Sequence, residues 1–323
     1  MNYVSVSKLN KDILNNLHKI PRDIDLVVGV PRSGMLPATL IALYLNKSLS
    51  DLDSFIEGKV YSHGTTKNIS VLEESMKDVK KALIVEDSSN TGVSLRNAKE
   101  RLRNIGENIE LMYMAAYVTK ETKSLVDISC REIATPRIFE WNFIHHCMLQ
   151  QACVDIDGVL CLDPTPEEND DGIKYRGFIK NAKPKLIPTA KIGWIVTSRL
   201  EKYRKDTEEW LKNYNIQYDH LCMMDVKSAE ERRKLGNHAA FKAFVYKKAK
   251  DTTFFIESEQ KQAEEIARLT GKQVLCVNNS QYQSESIKIW FIWKMKEILK
   301  KFAVKILPQP LIKKIKAVVH RKN

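Results

Sequence analysis

Short apolar runs, each ending in a loop rich in glycine, acids or hydroxyl residues that then opens a helical pattern, recur through this chain. Residues 24–30 (IDLVVGV) lead into Pro31-Arg32-Ser33-Gly34 and then into MLPATLIALYL, whose apolar positions have helical spacing. The order returns with Ala82–Val85 as strand, Glu86–Gly92 as loop and Val93–Leu102 as helix, and residues 110–118 add a third strand. Strands that alternate with helices build a parallel sheet, so the first half is expected to be α/β. A second such series starts at Ala152–Ile156 and continues through Ile192–Val196, Leu221–Met224, Thr253–Ile256 and Val274–Val277. No internal repeat joins the two series.

A length of 323 residues accommodates two ordinary domains. The expected division is 1–147, 148–284 and a tail, 285–323. The stretch from Leu162 to Pro188 carries prolines and acids without clear periodicity, and reads as an insertion over the C-terminal ends of the second set of strands. The N-terminal MNYVSVSKLNKDIL lacks a charged segment leading into an apolar run, and 18 apolar residues never follow one another, so neither secretion nor a membrane span is expected. Six cysteines without any C-x-x-C pair are read as reduced cytoplasmic thiols with no zinc site. The net charge of +12 is concentrated: from Ser286 to Asn323 there are 11 Lys or Arg against one acid, Glu297. Any polyanionic partner is therefore expected to meet the tail rather than the two near-neutral halves.

In the first half, Glu86 and Asp87 precede the hydroxyl-rich loop Ser88-Ser89-Asn90-Thr91-Gly92. Carboxylates at a strand end can accept hydrogen bonds from vicinal hydroxyls, while the N–H groups and hydroxyls of a loop opening a helix cradle a phosphate. A capped helix start is the plain alternative, because Asp, Ser and Asn favour that place anyway. This segment resembles the 5-phosphoribosyl 1-diphosphate (PRPP) motif of type I phosphoribosyltransferases, and Arg32-Ser33-Gly34 resembles that family's pyrophosphate loop. The resemblance implies that Glu86 and Asp87 hold the ribose hydroxyls, Ser88, Ser89, Asn90, Thr91 and Gly92 the 5-phosphate, and Arg32, Ser33 and Gly34 the leaving diphosphate with Mg²⁺. The family more often has two aspartates followed by an apolar residue. Gly64-Thr65-Thr66-Lys67 stands where the family has a lid, with an ordinary surface loop as the alternative, and Trp141 is either an acceptor-stacking ring or a buried aromatic at the end of the domain.

In the second half, Asp155 and Asp157 lie two residues apart on one face of a strand end, before a glycine turn. DIDGVL resembles motif I of haloacid-dehalogenase-like phosphatases. By that resemblance Asp155 attacks phosphorus, Asp157 is general acid then base, Thr197 binds phosphate, and Lys242 neutralises it, with Lys247 and Lys248 as rivals in the same helix. Glu257 would complete a Mg²⁺ site with Asp155 and Asp157, where the family more often has an aspartate. Only a small cap fits between Gly158 and Thr197.

The expected fold class is thus α/β: two Rossmann-like parallel-sheet domains, phosphoribosyltransferase-like and haloacid-dehalogenase-like with a small cap, followed by basic amphipathic helices. From Ile287 an apolar stripe at helical spacing, flanked by lysines and by Trp290 and Trp293, suits an anionic membrane surface; a lysine-solvated helix packed on the second domain is the alternative. Together the two halves resemble bifunctional enzymes that install ribofuranose in bacterial surface polysaccharides from PRPP. That implies a cytoplasmic, peripherally membrane-associated enzyme with a lipid-linked glycan acceptor and no nucleic acid. Salvage of a nucleobase, with a nucleotidase-type second half, is the competing enzyme class, and a PRPP-binding regulator on nucleic acid the competing non-enzyme.

Overall fold

A computed structural model describes residues 1–61, 76–105, 109–226, 238–278 and the strand at 281–283. The lid segment expected around Gly64–Lys67 and the basic amphipathic tail expected from 285 onward lie outside the described residues. The chain divides into two compact units, Met1–His146 and a second beginning at Cys147.

The first unit opens with β1 (Asn2–Val4) and α1 (Val6–Asn16), followed by β2 (Leu26–Gly29), α2 (Met35–Leu45), β3 (Ser48–Asp51) and α3 (Leu52–Ile56). It continues with β4 (Lys81–Ser89), α4 (Val93–Arg101), β5 (Glu110–Val118), β6 (Ile128–Glu132) and β7 (Arg137–Phe139). Five of these strands form one sheet in the order β3-β2-β4-β5-β6, every neighbouring pair parallel. Alternation along the strands supplies two cores. Val27, Leu83 and Val85 face Leu9, Ile13 and Ile41, while Leu26, Val28, Ala82 and Ile84 face Phe55, Ala98 and Leu102. That is why these strands read as continuous apolar runs. β1 and β7 pair apart from this sheet, in parallel.

One expectation fails in length. Glu86 was expected to begin the loop, but β4 runs on to Ser89, because Ser88 and Ser89 still pair with Tyr117 and Val118 of β5. The long partner strand carries the two acids inside the sheet rather than beyond it.

The second unit comprises β8 (Ala152–Val154), α5 (Ile173–Asn181), β9 (Ile192–Leu200), α6 (Arg204–Asn213) and β10 (Tyr218–Met224). Then come α7 (His238–Lys248), β11 (Phe254–Glu257), α8 (Gln260–Thr270), β12 (Gln273–Cys276) and β13 (Gln281–Gln283). Its sheet has the order β10-β9-β8-β11-β12-β13, parallel except for β13. Cys153, Val196, Phe255 and Val274 of the sheet pack with Ala243, Tyr246 and Ile266 of α7 and α8. The segment 162–188, read as aperiodic, contains α5, which buries Tyr175, Phe178 and Ile179 at helical spacing. None of the six cysteines is disulfide-bonded. No described helix is long and apolar enough to cross a membrane.

Candidate functional sites

The first site lies at the C-terminal ends of β2 and β4, where parallel α/β sheets present loops to ligands. Gly34 is required there by space: a Cβ on it would stand 2.5 Å from the Val30 carbonyl oxygen and 2.7 Å from that of Val85. The Val30 N–H donates to the Val85 carbonyl at 2.9 Å, so the loop carrying Arg32 and Ser33 is laid directly against the strand that carries the acids. Gly92 adopts φ 77°, and a Cβ there would meet Leu125 Cδ1 at 2.3 Å. Its conformation turns the chain into α4. Loop residues Ser88–Gly92 line a cavity of about 600 Å³ with Val30, Pro31, Leu52, Asp53 and Arg101.

Glu86 and Asp87 are both buried, at 5% and 4% exposure. They point to opposite faces of β4. Glu86 accepts hydrogen bonds from Ser94 Oγ at 2.6 Å and from the Asp87 N–H at 3.1 Å. Burial pushes its carboxyl up to about 8, and the Asp87 charge adds to the rise. On the other face, Asp87 accepts the indole N–H of Trp141 at 2.6 Å. Trp141 stacks on Phe139 with ring centroids 4.8 Å apart. It is therefore a holder of Asp87, half-buried, a role that neither sequence alternative contained. The loop beyond the acids is braced by Thr122, whose hydroxyl donates to the Ser89 carbonyl at 2.9 Å, and by Arg96, which donates to the Thr91 carbonyl at 2.8 Å. Glu86, Asp87, Arg32, Ser33 and Gly34 are not among the residues that line this cavity, although their chain neighbours Pro31 and Ser88 are.

In the second unit, Asp155 follows β8, Thr197 lies in β9 and Glu257 ends β11. Three neighbouring parallel strands thus bring the expected residues to one edge. Lys242 of α7 reaches them: its Nζ donates to Asp155 Oδ2 at 2.6 Å, Glu257 Oε2 at 2.7 Å and Gln262 Oε1 at 3.0 Å. Lys242, Asp155 and Glu257 are all buried, whereas Lys247 and Lys248 are exposed. The second oxygen of each acid is also engaged. Asp155 Oδ1 accepts the Ile156 N–H at 2.8 Å, and Glu257 Oε1 accepts the Ser258 N–H at 2.9 Å.

Asp157 was expected to share a metal site with Asp155 and Glu257. Its carboxylate is held by Arg199, whose Nη2 stands 2.7 Å and Nε 3.2 Å away. Arg199 is fully buried and was missed from sequence. Its nearness to Thr197 in the chain was the available signal, but nothing in the pattern tells a buried arginine from a solvated one. Lys185, also missed, donates to the Gly158 carbonyl at 2.7 Å and thereby ties the segment after α5 to the turn. Gly158, at φ 75°, leaves no room for a Cβ, which would lie 2.2 Å from Ser258 Oγ. The acids line a cavity of about 350 Å³ that also includes Asp163, Thr197 and Lys242.

The electrostatics of this cavity favour one more cation. Burial pushes Asp155 up to about 7 even though Lys242 pulls it down, and Glu257 and Asp157 push it further. Burial, with Asp157 behind it, also raises Asp163. Among the described residues no three acids, histidines or cysteines form a ready-made metal cage. Even so, Asp155 and Glu257 share hard oxygen donors and an excess of negative charge, which fits a divalent cation such as Mg²⁺.

The family described as "Phosphoribosyl transferase domain" matches residues 3–147. A xanthine-guanine phosphoribosyltransferase of Chromohalobacter salexigens is 30% identical over 132 residues, 41% of this chain and 76% of the relative. An orotate phosphoribosyltransferase of Sulfolobus acidocaldarius is 33% identical over 88 residues, 27% of this chain and 41% of the relative. Among solved structures, a purine phosphoribosyltransferase from Pyrococcus horikoshii aligns at 20% identity and a TM-score of 0.32, covering 43% of this chain and 92% of that one.

Proposed function

Since residues 3–147 make this chain a member of the phosphoribosyltransferase family, we propose that it transfers a 5-phosphoribosyl unit from PRPP to a glycan and then removes the 5-phosphate, leaving ribofuranose. One observation carries the coupling: a single chain bears two separate sites suited to phosphate, one around Glu86 and Asp87 and one around Asp155, Lys242 and Glu257. The second unit is read as a haloacid-dehalogenase-like phosphatase.

In the first step Glu86 and Asp87 accept the ribose hydroxyls while the N–H groups from Ser88 to Gly92 and the hydroxyls of Ser88 and Thr91 hold the 5-phosphate. The acceptor hydroxyl attacks C1, the bond from C1 to the diphosphate breaks, and the hydroxyl proton is lost to solvent. Diphosphate leaves toward Arg32, Ser33 and Gly34. In the second step a carboxylate oxygen of Asp155 attacks the 5-phosphate, and the ribose 5-oxygen departs with a proton from Asp157. Water that has given its proton back to Asp157 then hydrolyses the aspartyl-phosphate. Lys242 keeps Asp155 charged and oriented, Thr197 holds a phosphate oxygen, and Arg199 must release the Asp157 carboxylate before it can serve the leaving oxygen. Mg²⁺, held by Asp155 and Glu257, would offset the charge of the phosphate when bound. The basic tail would keep the enzyme at the inner face of the cytoplasmic membrane, beside a lipid-linked acceptor.

Incubation of an Asp155→Asn enzyme with PRPP, Mg²⁺ and a panel of synthetic glycans tests the order of events by mass spectrometry. The expected product is an acceptor heavier by one phosphoribosyl group, whereas wild type adds a plain pentose. A dephosphorylated pentose from the Asn variant would refute the coupling. A nucleobase acceptor is the second reading, supported by the purine and orotate enzymes among the relatives, and PRPP consumption with xanthine, guanine or orotate would favour it.

A further inference from the structure

The Asp87 face of β4 gathers polar groups that the transfer chemistry above leaves unused. Side chains alternate along a strand, so Ser89 shares this face with Asp87, opposite Glu86. Arg137 of β7 is 7% exposed and its charge interacts with that of Asp87. One arm of its guanidinium is accounted for: Nη1 donates to the Ile133 carbonyl at 3.2 Å. The other, Nη2, is buried with no hydrogen-bond partner among the described residues. Ser89 Oγ and the Asn142 side-chain oxygen are the other described side-chain atoms of this unit in that condition. Asn142 follows Trp141, the residue bonded to Asp87, which brings its backbone close to the same carboxylate.

Buried polar atoms are paired almost everywhere in folded proteins, and an exception calls for a specific reason, of which a functional role is one. The chemistry of the three groups is specific. A guanidinium with a free arm matches the oxygens of a carboxylate or phosphate, which a neutral partner satisfies poorly. A serine hydroxyl and an amide oxygen suit hydroxyl groups. We propose that Arg137, Ser89 and Asn142 form the acceptor subsite of the transferase, and that the acceptor carries a carboxylate or phosphate near its reacting hydroxyl. This rests on the transferase reading given above. Trp141 then holds Asp87 for the ribose while Arg137, on the same face, holds the acceptor's anion, which places donor and acceptor on either side of the bond to be made.

The test uses the full chain with Mg²⁺. PRPP binding is measured first by calorimetry. Protein carrying Asp155→Asn, so that the second site cannot hydrolyse sugar phosphates, is then saturated with ribose 5-phosphate and titrated with glucose, glucuronate, glucose 6-phosphate and orotate. Glucuronate or glucose 6-phosphate is expected to bind at least tenfold more tightly than glucose, the tighter of the two identifying the anion. Arg137→Gln should reduce that ratio to below twofold while leaving PRPP binding within twofold of wild type. Should Arg137→Gln not fold, Ser89→Ala and Asn142→Ala carry the test, each weakening the charged sugar at least threefold and glucose less. Equal binding of charged and neutral sugars overturns the proposal. So does a lower melting temperature of Arg137→Gln with the tenfold preference intact, the mark of a purely structural arginine. Orotate binding more tightly than every sugar, and lost in Arg137→Gln, upholds the anion subsite but overturns the glycan reading. Absence of PRPP binding by wild type overturns the transferase reading and this proposal with it.

Discussion

Lys242→Met tests the charge balance of the second site most directly. Methionine keeps an unbranched chain of similar length but removes the ammonium that lies 2.6 Å from Asp155 and 2.7 Å from Glu257. With all three residues at 5% exposure or less, two acids would be left facing each other away from water. Breaking a buried ion pair by removing one partner costs about 3–5 kcal/mol. For a unit of this size that lowers the melting temperature by roughly 10 °C. The pH dependence has a definite sign. Burial already raises Asp155 to about 7 with the lysine present, and Glu257 adds to it. Without the lysine its carboxyl rises further, and a raised carboxyl stabilises the fold at low pH and loses that contribution as pH climbs through its folded value. The deficit of Lys242→Met is therefore small near pH 5 and largest above neutrality. Differential scanning calorimetry across that range checks it, with the exposed Lys247→Met and Lys248→Met expected within about 0.5 kcal/mol of wild type. Hydrolysis of p-nitrophenyl phosphate should fall only in the Lys242 variant. A Lys242→Met protein melting within about 2 °C of wild type at pH 8, or a deficit that shrinks as pH rises, would refute the charge balance described here.

In the first unit, Glu86 has a folded value near 8 against an ordinary 4.5, so its contribution, present at acid pH, is lost at about 1.4 kcal/mol per pH unit between those values. Glu86→Gln should flatten that slope in denaturant titrations followed by hydrogen exchange in β4, and an unchanged slope would contradict the assignment. Gly92→Ala, forced to φ 77° with its methyl 2.3 Å from Leu125 Cδ1, should cost about 1–3 kcal/mol and weaken PRPP binding in the same preparation. Truncation after Gln283 removes most of the +12 charge and should abolish sedimentation with anionic vesicles, each surface lysine being worth about 1 kcal/mol there. Unchanged sedimentation would instead favour a tail packed on the second unit.

The alternation of strand, loop and helix, and with it the parallel sheets, was already legible in the order of residues, because continuous apolar runs are stable only when both faces are covered. That order also carried the family signature, since two acids and a phosphate loop occupy consecutive positions whose meaning is local. Tertiary structure decided everything that depends on which distant side chains meet. Lys242 and Lys247 share one helix and one charge, yet only Lys242 faces Asp155 and Glu257, through the packing of α7 on the sheet. Arg199 looks like any surface arginine until burial pairs it with Asp157. Trp141 shows its role only where the end of the first unit folds back on Asp87, 54 residues earlier in the chain. The reach of β4 to Ser89 is likewise set by its partner β5, because strand length is a property of the pair. Local chemistry is written in neighbouring residues, whereas burial and long-range pairing exist only once the chain has closed around them.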